Sequence, residues 1–300
     1  MMLKTVAALF FLIISGGSGT GEAAGLNAEE VLPGENPSIP EEQQEDPATA
    51  VPGRLEPLHF SNLKWRSIGP AVRSGRISDI AVVESDPDII YVGTAGGGAF
   101  KSVDGGITWD PVFEKEGSSA IGGIAVAQSN PNVVWIATGE SSGRNLVSTS
   151  WGDGVYKSED AGKSWTHMGL RACQQMGRVA IHANDPQTVF VSCIGSLWDT
   201  AEDNESRGLY RTIDGGGTWQ KVLSAGSRAG VVEVVINPDD PDFLYAGAWQ
   251  RERRDWSWLP VGPESGVFRS IDGGGTWDRL SNGLPSGDTG RVGLSICRSQ

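Results

Sequence analysis

An eight-residue pattern occurs four times in this chain of 300 residues, and it constrains the fold more than any other feature. Each copy has Ser or Thr first, Asp third, Gly fifth, Ser or Thr seventh and Trp eighth, and the copies lie at 102–109, 158–165, 212–219 and 270–277. Their aspartates are 56, 54 and 58 residues apart. Self-similarity at a nearly constant period is typical of an array of repeated supersecondary units.

The residues around each copy repeat as well. An aromatic residue and a base precede every copy, and a proline turn followed by a short apolar run lies further upstream: IIYVGT, VVWIAT, TVFVSC and FLYAGA. Another strand-like run precedes each proline turn. One unit therefore contains four antiparallel strands in about 40–50 residues, which is a propeller blade. The 42 glycines of the chain suit such short strands and tight turns. We predict an all-β fold, a β-propeller with four-stranded antiparallel blades.

The repeated residues are predicted to be structural. The aspartate can accept hydrogen bonds from backbone N–H groups of its own turn, and the glycines permit positive φ there. The tryptophan opens the outer strand and can bury its ring against the blade. These scaffold residues are Asp104, Asp160, Asp214 and Asp272, with Trp109, Trp165, Trp219 and Trp277.

The repeated pattern resembles the Asp-box, or BNR repeat, over about residues 64–300. Asp-boxes occur in sialidases, xyloglucan-active glucanases, photosystem II assembly factors and the sortilin N-terminal propeller. The whole unit, with its aromatic–base lead-ins and long intervening loops, is most similar to bacterial sortilin-type repeat proteins, which often carry a glycosyl-hydrolase label. The resemblance implies a propeller with Asp-box turns and is specific for the fold rather than for the function.

Both ends of the repeat array are expected to be incomplete. Residues 64–69 match the outer strands that follow each copy but have no copy of their own, so they are interpreted as an outer strand that closes the last blade. Residues 289–296 begin a further unit as a fifth inner strand. We therefore expect four blades plus one strand, the N-terminal portion of a longer propeller, with a closed four-bladed ring as the alternative.

Three segments are predicted along the chain. Residues 1–25 combine Lys4, an apolar run and small residues, as a secretory signal does, and no membrane span is expected in the mature chain. Residues 26–57 are an acidic, proline-rich and flexible linker, and residues 58–300 are the propeller. The protein is therefore expected to be exported, to the periplasm or the extracellular space.

The cysteines and the net charge exclude some classes of partner. An exported chain could pair Cys173 with Cys193, but three cysteines is an odd number, and we favour buried unpaired residues; their spacing with Cys297 matches no metal motif. A net charge of −13 argues against nucleic acid as a partner. No cofactor motif or metal-binding cluster is found in the sequence.

Strand order predicts where a ligand would bind. The proline turns and the repeat turns share one face, while the loops between second and third strands share the opposite face with the crossovers between blades. Those loops are long in blades two to four, at 139–154, 195–207 and 249–265, and such one-sided insertions usually indicate the binding face. The candidate ligand-binding residues there are the loop residues Trp151, Trp198, Trp256 and Trp258, together with Arg76, Arg178 and Arg291 at the starts of inner strands. The arginines could instead hold neighbouring blades together, and the tryptophans could pin the loops.

The sequence favours a binding module over an enzyme. All four tyrosines occupy repeat strand positions, so none is free to act as a sialidase nucleophile. A glucanase-type hydrolase needs two carboxylates across a cleft, about 6.5–9.5 Å apart for inversion, and the candidates are Asp79, Glu140, Asp153, Asp199 and Asp255. We expect an exported propeller that binds a peptide, protein or glycan. The alternative is a polysaccharide hydrolase, xyloglucanase-like rather than sialidase-like.

Overall fold

The computed structural model describes residues 76–141, 150–197, 205–254 and 256–297. Within these ranges the chain forms 18 β-strands and a single 3₁₀ turn at Arg171–Cys173. The predicted signal segment, the linker and the outer strand at 64–69 lie outside the described residues, and so does Trp198.

The strands form four four-stranded antiparallel sheets, so the predicted all-β propeller architecture is confirmed. Blade one contains β1 (Ile77–Val82), β2 (Ile90–Thr94), β3 (Ala99–Ser102) and β4 (Asp110–Pro111), and blade two contains β5 (Ile121–Val126), β6 (Val134–Thr138), β7 (Val155–Ser158) and β8 (Thr166–His167). Blade three contains β9 (Met176–Ile181), β10 (Val189–Cys193), β11 (Gly208–Thr212) and β12 (Gln220–Leu223). Blade four contains β13 (Ala229–Ile236), β14 (Leu244–Gln250), β17 (Gly266–Ser270) and β18 (Asp278–Leu280). Blade four also carries a separate hairpin of β15 (Glu252–Arg254) and β16 (Ser257–Leu259).

The hydrophobic core lies between successive blades. The second strand of each blade presents an aromatic side chain to the following blade, and Tyr91, Trp135 and Phe190 are at most 2% exposed. Tyr245 occupies the same position in blade four and is only half-buried. The reason is that no fifth blade covers it within the part of the chain that the structure describes.

Within the described residues, the array of blades is open at both ends. Inner strand β1 packs on β5, β5 on β9 and β9 on β13, but β1 makes no comparable contact with blade four. Ile77 and Ile80 on β1 are 62% and 53% exposed, because no described residue covers that side of blade one. Residues 289–296 were expected as a fifth inner strand. Thr289 forms an isolated antiparallel bridge with Gly262, but residues 291–296 have no strand pairing in the described structure, although Val292 is buried and Leu294 lies beside Gly247.

Every inner strand has a β-bulge at the same position. The register shifts between Ile77 and Asp79 in β1, and at the corresponding points of β5, β9 and β13. At these points successive blades approach backbone to backbone. A Cβ on Gly123 would lie 2.2 Å from the carbonyl oxygen of Gly177 in the next blade, and one on Gly177 would lie 2.1 Å from that of Val232.

We expect Gly123→Ala to lower the free energy of unfolding by about 2 kcal/mol, because the added methyl group forces two blades apart. The matched control is Gly96→Ala, where nothing lies within 4 Å of the new Cβ and the change should stay within about 0.5 kcal/mol. Urea unfolding of both variants measures the difference. Equal losses would show that the blades do not pack closely at the bulge.

The repeated aspartates organise the turns between third and fourth strands. Asp104 accepts hydrogen bonds from the backbone N–H of Thr108, at 2.9 Å, and from its hydroxyl, at 2.6 Å. The Ser102 hydroxyl also donates to Asp104 and accepts the N–H of Gly106. The same pattern recurs at Asp160, Asp214 and Asp272. The fifth residue of each copy is a glycine with φ between 83° and 97°, a conformation that favours glycine.

These hydrogen bonds lower the pKa of each repeat carboxyl from 3.8 to about 2; at Asp104 the Thr108 hydroxyl contributes most. Between about pH 4 and pH 2, the four repeat carboxyls therefore bind fewer protons in the folded protein than in the unfolded chain. The stabilisation is complete above pH 4 and is lost as the pH falls through that window. Thermal melts should show Asp214→Asn with a shallower fall in Tm there than the wild type. Parallel slopes would contradict this.

The repeat tryptophans connect neighbouring blades. Trp165 and Trp219 donate their indole N–H groups to the carbonyl oxygens of Val112 and Met168 in the preceding blade, both at 2.7 Å. Trp277 and Trp109 donate to their own turns. Trp109 is 40% exposed, since no described residues form a blade before it. These residues, expected in the core, thus lie half-buried at the boundaries between blades or, for Trp109, on the surface.

Cys173 and Cys193 form a disulfide, which corrects the prediction that they are unpaired. Both side chains are buried, as expected. The 3₁₀ turn before β9 brings Cys173 beside the end of β10, with the two Cα atoms 5.5 Å apart, a separation that suits a disulfide. Cys297 is unpaired, as expected, but it is exposed, which corrects the prediction that it is buried.

Candidate functional site

The loop face comprises the described parts of the long loops, residues 139–141, 150–154, 195–197, 205–207, 249–254 and 256–265. Two contacts show that the starts of inner strands reach the same face. Arg76, before β1, forms an ion pair with Glu140 in the loop of blade two. Gln175, before β9, accepts a hydrogen bond from Arg251 in the loop of blade four.

The loop tryptophans differ in their exposure. Trp256 lies at the tip of the β15–β16 hairpin and is 83% exposed, and Trp151 in the loop of blade two is 58% exposed. Trp258 instead packs edge-on against Trp249, with ring centroids 6.3 Å apart, and the guanidinium carbon of Arg253 lies 5.7 Å from the centre of the Trp258 ring. Trp151 and Trp256 therefore offer free aromatic surface, whereas Trp258 supports the base of the hairpin.

The three candidate arginines do not form one ring. The N–H of Ala95 donates to the carbonyl of Arg76, and the N–H of Ile194 donates to that of Gln175, so Gln175 is the counterpart of Arg76 in blade three. Arg178 follows the bulge and corresponds to Asp79. Alignment of the Gly-Arg dipeptides by eye cannot show this, because the bulge is invisible in the sequence.

A chain of alternating charges crosses the inner strands. Arg178 donates to Asp79 of blade one at 2.5 Å and to Glu233 of blade four at 3.4 Å. Arg291 lies 3.6 Å from the other oxygen of Glu233. Asp79 also accepts the N–H of Ile124 in blade two at 3.0 Å. Burial raises the pKa of Asp79 against the pull of Arg178. Arg178 and Arg291 thus have carboxylate partners that belong to the fold.

A second polar cluster lies buried beneath the loop face. Arg251 is 2% exposed, and its Nη2 donates to Oε1 of Gln175 at 2.5 Å. Its guanidinium carbon lies 5.0 Å from the centre of the Trp249 ring. Nε and Nη1 of Arg251 and Nε2 of Gln175 have no hydrogen-bond partner among the described residues. Burial first, and then the charges of Arg207 and Arg291, lower the pKa of Arg251 to about 9.

The carboxylates considered for hydrolysis have protein partners. Asp79 is paired with Arg178, and Glu140, 2% exposed, with Arg76. Asp153 accepts the hydroxyl of Tyr156 at 2.7 Å. Asp199 and Asp255 lie outside the described residues. The described candidates are therefore engaged in the fold rather than facing each other across an open cleft.

None of these carboxylates lines either of two cavities that lie among the described residues. One of about 340 Å³ lies beside the loop of blade four, lined by residues that include Arg228, Gln250 and Glu264. The other, of about 470 Å³, runs along β9 and β13 to Leu294 and has a mixed polar and apolar lining that includes Glu84 and Arg178.

Among the described residues there is neither a candidate metal-binding cluster nor a candidate membrane-spanning helix. There, no group of three or more His, Cys, Asp or Glu side chains is arranged to hold a metal ion. A helix long and apolar enough to cross a bilayer is likewise not found among those residues.

Arg251 and Gln175 were not among the site residues predicted from the sequence. Arg251 belongs to the run Trp-Gln-Arg-Glu-Arg-Arg at 249–254, whose density of arginines was a usable signal. Its burial could not be foreseen, because a loop arginine is ordinarily exposed.

Comparison with known proteins shows similarity in fold. No family model matches the sequence, and no curated protein matches it. Among solved structures, an ancestral GH74 enzyme is 19% identical with a TM-score of 0.51, over 70% of this chain and 26% of that one. A GH74 enzyme from Niastella koreensis is 20% identical with a TM-score of 0.49, over 67% and 28%. A GH74 xyloglucanase from Xanthomonas campestris is 18% identical with a TM-score of 0.49, over 69% and 30%.

This chain thus spans less than a third of the length of each of these three enzymes. At such identities the likeness concerns the backbone architecture and not the chemistry of a site. The chain is a β-propeller.

Proposed function

We propose that this chain is an exported, sortilin-like Asp-box propeller that binds a peptide, protein or glycan on its loop face. The observation that carries the proposal is the pair of exposed tryptophans on that face, Trp151 and Trp256, at 58% and 83% exposure. Exposed aromatic rings supply a large contact area at low entropic cost, and they are enriched where ligands bind.

Other features support individual parts of the proposal. The hydrogen bonds of Asp104 and its three counterparts are those expected of Asp-box turns. The disulfide between Cys173 and Cys193 suits an oxidising compartment, in agreement with a secretory signal at 1–25. The carboxylate partners of Arg178 and Arg291 favour a structural role for these two arginines over direct ligand contact.

Polysaccharide hydrolysis is the second candidate. It is supported by the raised pKa of Asp79, a property of general acids in glycosidases, and by the fold shared with an ancestral GH74 enzyme. The ion pair between Asp79 and Arg178 opposes it, since Arg178 occupies the carboxylate that a substrate would need.

The test uses a glycan array that includes xyloglucan and an array of random peptides. The full chain should bind members of one array, and the double variant Trp151→Ala/Trp256→Ala should bind them at least ten-fold more weakly at unchanged Tm. Trp109→Ala is the matched control, because Trp109 is exposed on the opposite face. Unchanged binding by the double variant would overturn the proposal. Release of reducing sugar from xyloglucan, abolished by Asp79→Asn, would establish the hydrolase instead.

A further inference from the structure

We propose that Arg251 and Gln175 form a binding site for an oxyanion, a carboxylate or phosphate group, beneath the loop face. The inference deepens the proposed function by naming the chemistry of a group that the loop face takes up, and in that sense it rests on it. The site is built from two segments of different blades: Gln175 precedes inner strand β9 of blade three, and Arg251 follows β14 of blade four.

The cluster contains hydrogen-bond donors without acceptors. Nη2 of Arg251 donates a hydrogen bond to Oε1 of Gln175. This oxygen is the only hydrogen-bond acceptor of the Gln175 side-chain amide. Nε and Nη1 of Arg251 and Nε2 of Gln175 remain without partners among the described residues, and all three atoms are buried. Buried polar groups in native proteins nearly always have partners. An oxyanion is complementary to this cluster, since its oxygens accept hydrogen bonds and donate none.

The charge of Arg251 is also uncompensated. The charged groups that act on it among the described residues are Arg207 and Arg291, and both are positive. Isolated buried charges are costly, and native proteins pair them. The nearest ring, that of Trp249, contributes a cation–π contact but no counter-charge. A bound anion would supply the missing negative charge.

The backbone holds the two donor side chains in place. The carbonyl oxygen of Gln175 accepts the N–H groups of Ile194 and Gly195, at 2.9 and 3.2 Å. The disulfide of Cys173, two residues earlier, ties the same segment to β10. On the other side, the N–H of Gln250 donates to the Ser265 hydroxyl at 2.8 Å, which fixes the residue before Arg251. The donors are thus preorganised rather than carried on a free loop.

The test measures Tm of the full chain in a low-salt buffer during titration with inorganic phosphate and, separately, acetate. The wild type should gain about 5 °C when either anion is present at about a hundred-fold excess over its Kd. Arg251→Met preserves the length and stacking of the side chain and should lose the anion-dependent part of this gain. Its Tm without anion should equal or exceed that of the wild type, because an unpaired buried charge has been removed.

Arg171→Met is the matched control. Arg171 is 67% exposed and makes one long ion pair to Asp153, so its anion-dependent gain should equal that of the wild type. Phosphate also stabilises proteins in general by exclusion from their surface. Only the difference in gain between the wild type and Arg251→Met therefore reports the site.

The outcomes separate the two proposals. Equal gains in wild type and Arg251→Met would overturn the anion site. A large loss of Tm in Arg251→Met without anion would overturn it too, because the charge of Arg251 would then stabilise the fold without an added anion. Either result leaves the tryptophan-dependent array binding intact. If the gain depends on Arg251, the site stands. Array binding that Arg251→Met also weakens at least ten-fold identifies the anion as a group of the larger ligand, and unchanged array binding identifies it as a free small anion.

Discussion

Trp219→Ala is expected to lower the free energy of unfolding by about 3 kcal/mol. The Trp219 ring lies edge-on to Trp135 of the preceding blade, with centroids 6.0 Å apart, and its N–H donates to the Met168 carbonyl at 2.7 Å. Its removal therefore opens a gap between blades two and three and leaves a carbonyl without its donor. Urea unfolding monitored by circular dichroism measures the loss.

Trp109→Ala makes the same chemical change at the same position of the repeat and is the control. Because Trp109 is 40% exposed and bonds only its own turn, its replacement should cost less than about 1 kcal/mol. Similar losses for the two variants would mean that the repeat tryptophans act within their turns and do not connect blades.

Loss of the disulfide is expected to have an effect of similar size. Cys173→Ala combined with Cys193→Ala should lower the free energy of unfolding by about 3 kcal/mol. The disulfide restricts the unfolded chain by closing a loop between residues 20 positions apart, and its removal gives the unfolded chain that entropy back. Cys297→Ala is the control, since Cys297 is free and exposed, and it should change the stability by less than about 0.5 kcal/mol. Peptide mapping without reductant that finds Cys173 and Cys193 as thiols would contradict the pairing.

Much of the fold could be predicted because each blade repeats the same local chemistry. The aspartate, glycine and hydroxyl residues of 102–109 and its three counterparts specify a turn by contacts within a few residues. The aromatic position of the second strand was likewise predictable as core, and Tyr91, Trp135 and Phe190 are buried there. Such features depend on neighbours in sequence or on an identical blade alongside.

The features that escaped prediction depend on residues far apart in sequence. The position of Arg178 opposite Asp79 follows from a bulge in β9 and joins residues 99 positions apart. The pairing of Cys173 depends on a 3₁₀ turn that no periodic pattern indicates. The contact of Arg251 with Gln175 joins residues 76 positions apart. The exposure of Trp109 depends on what precedes blade one rather than on its own repeat.

The central claim is that the loop face binds ligand and that the opposite face is scaffold. Hydroxyl-radical footprinting tests this claim most directly, by comparing tryptophan oxidation with and without a ligand selected on the arrays. Trp151, Trp256 and Trp109 are all exposed, at 58%, 83% and 40%, so each reacts in the free protein and each serves as a reference for the others. Bound ligand should protect Trp151 and Trp256 from oxidation and leave Trp109 as reactive as before. Protection of Trp109 with continued oxidation of Trp151 and Trp256 would place the ligand on the face of the repeat turns and contradict the account.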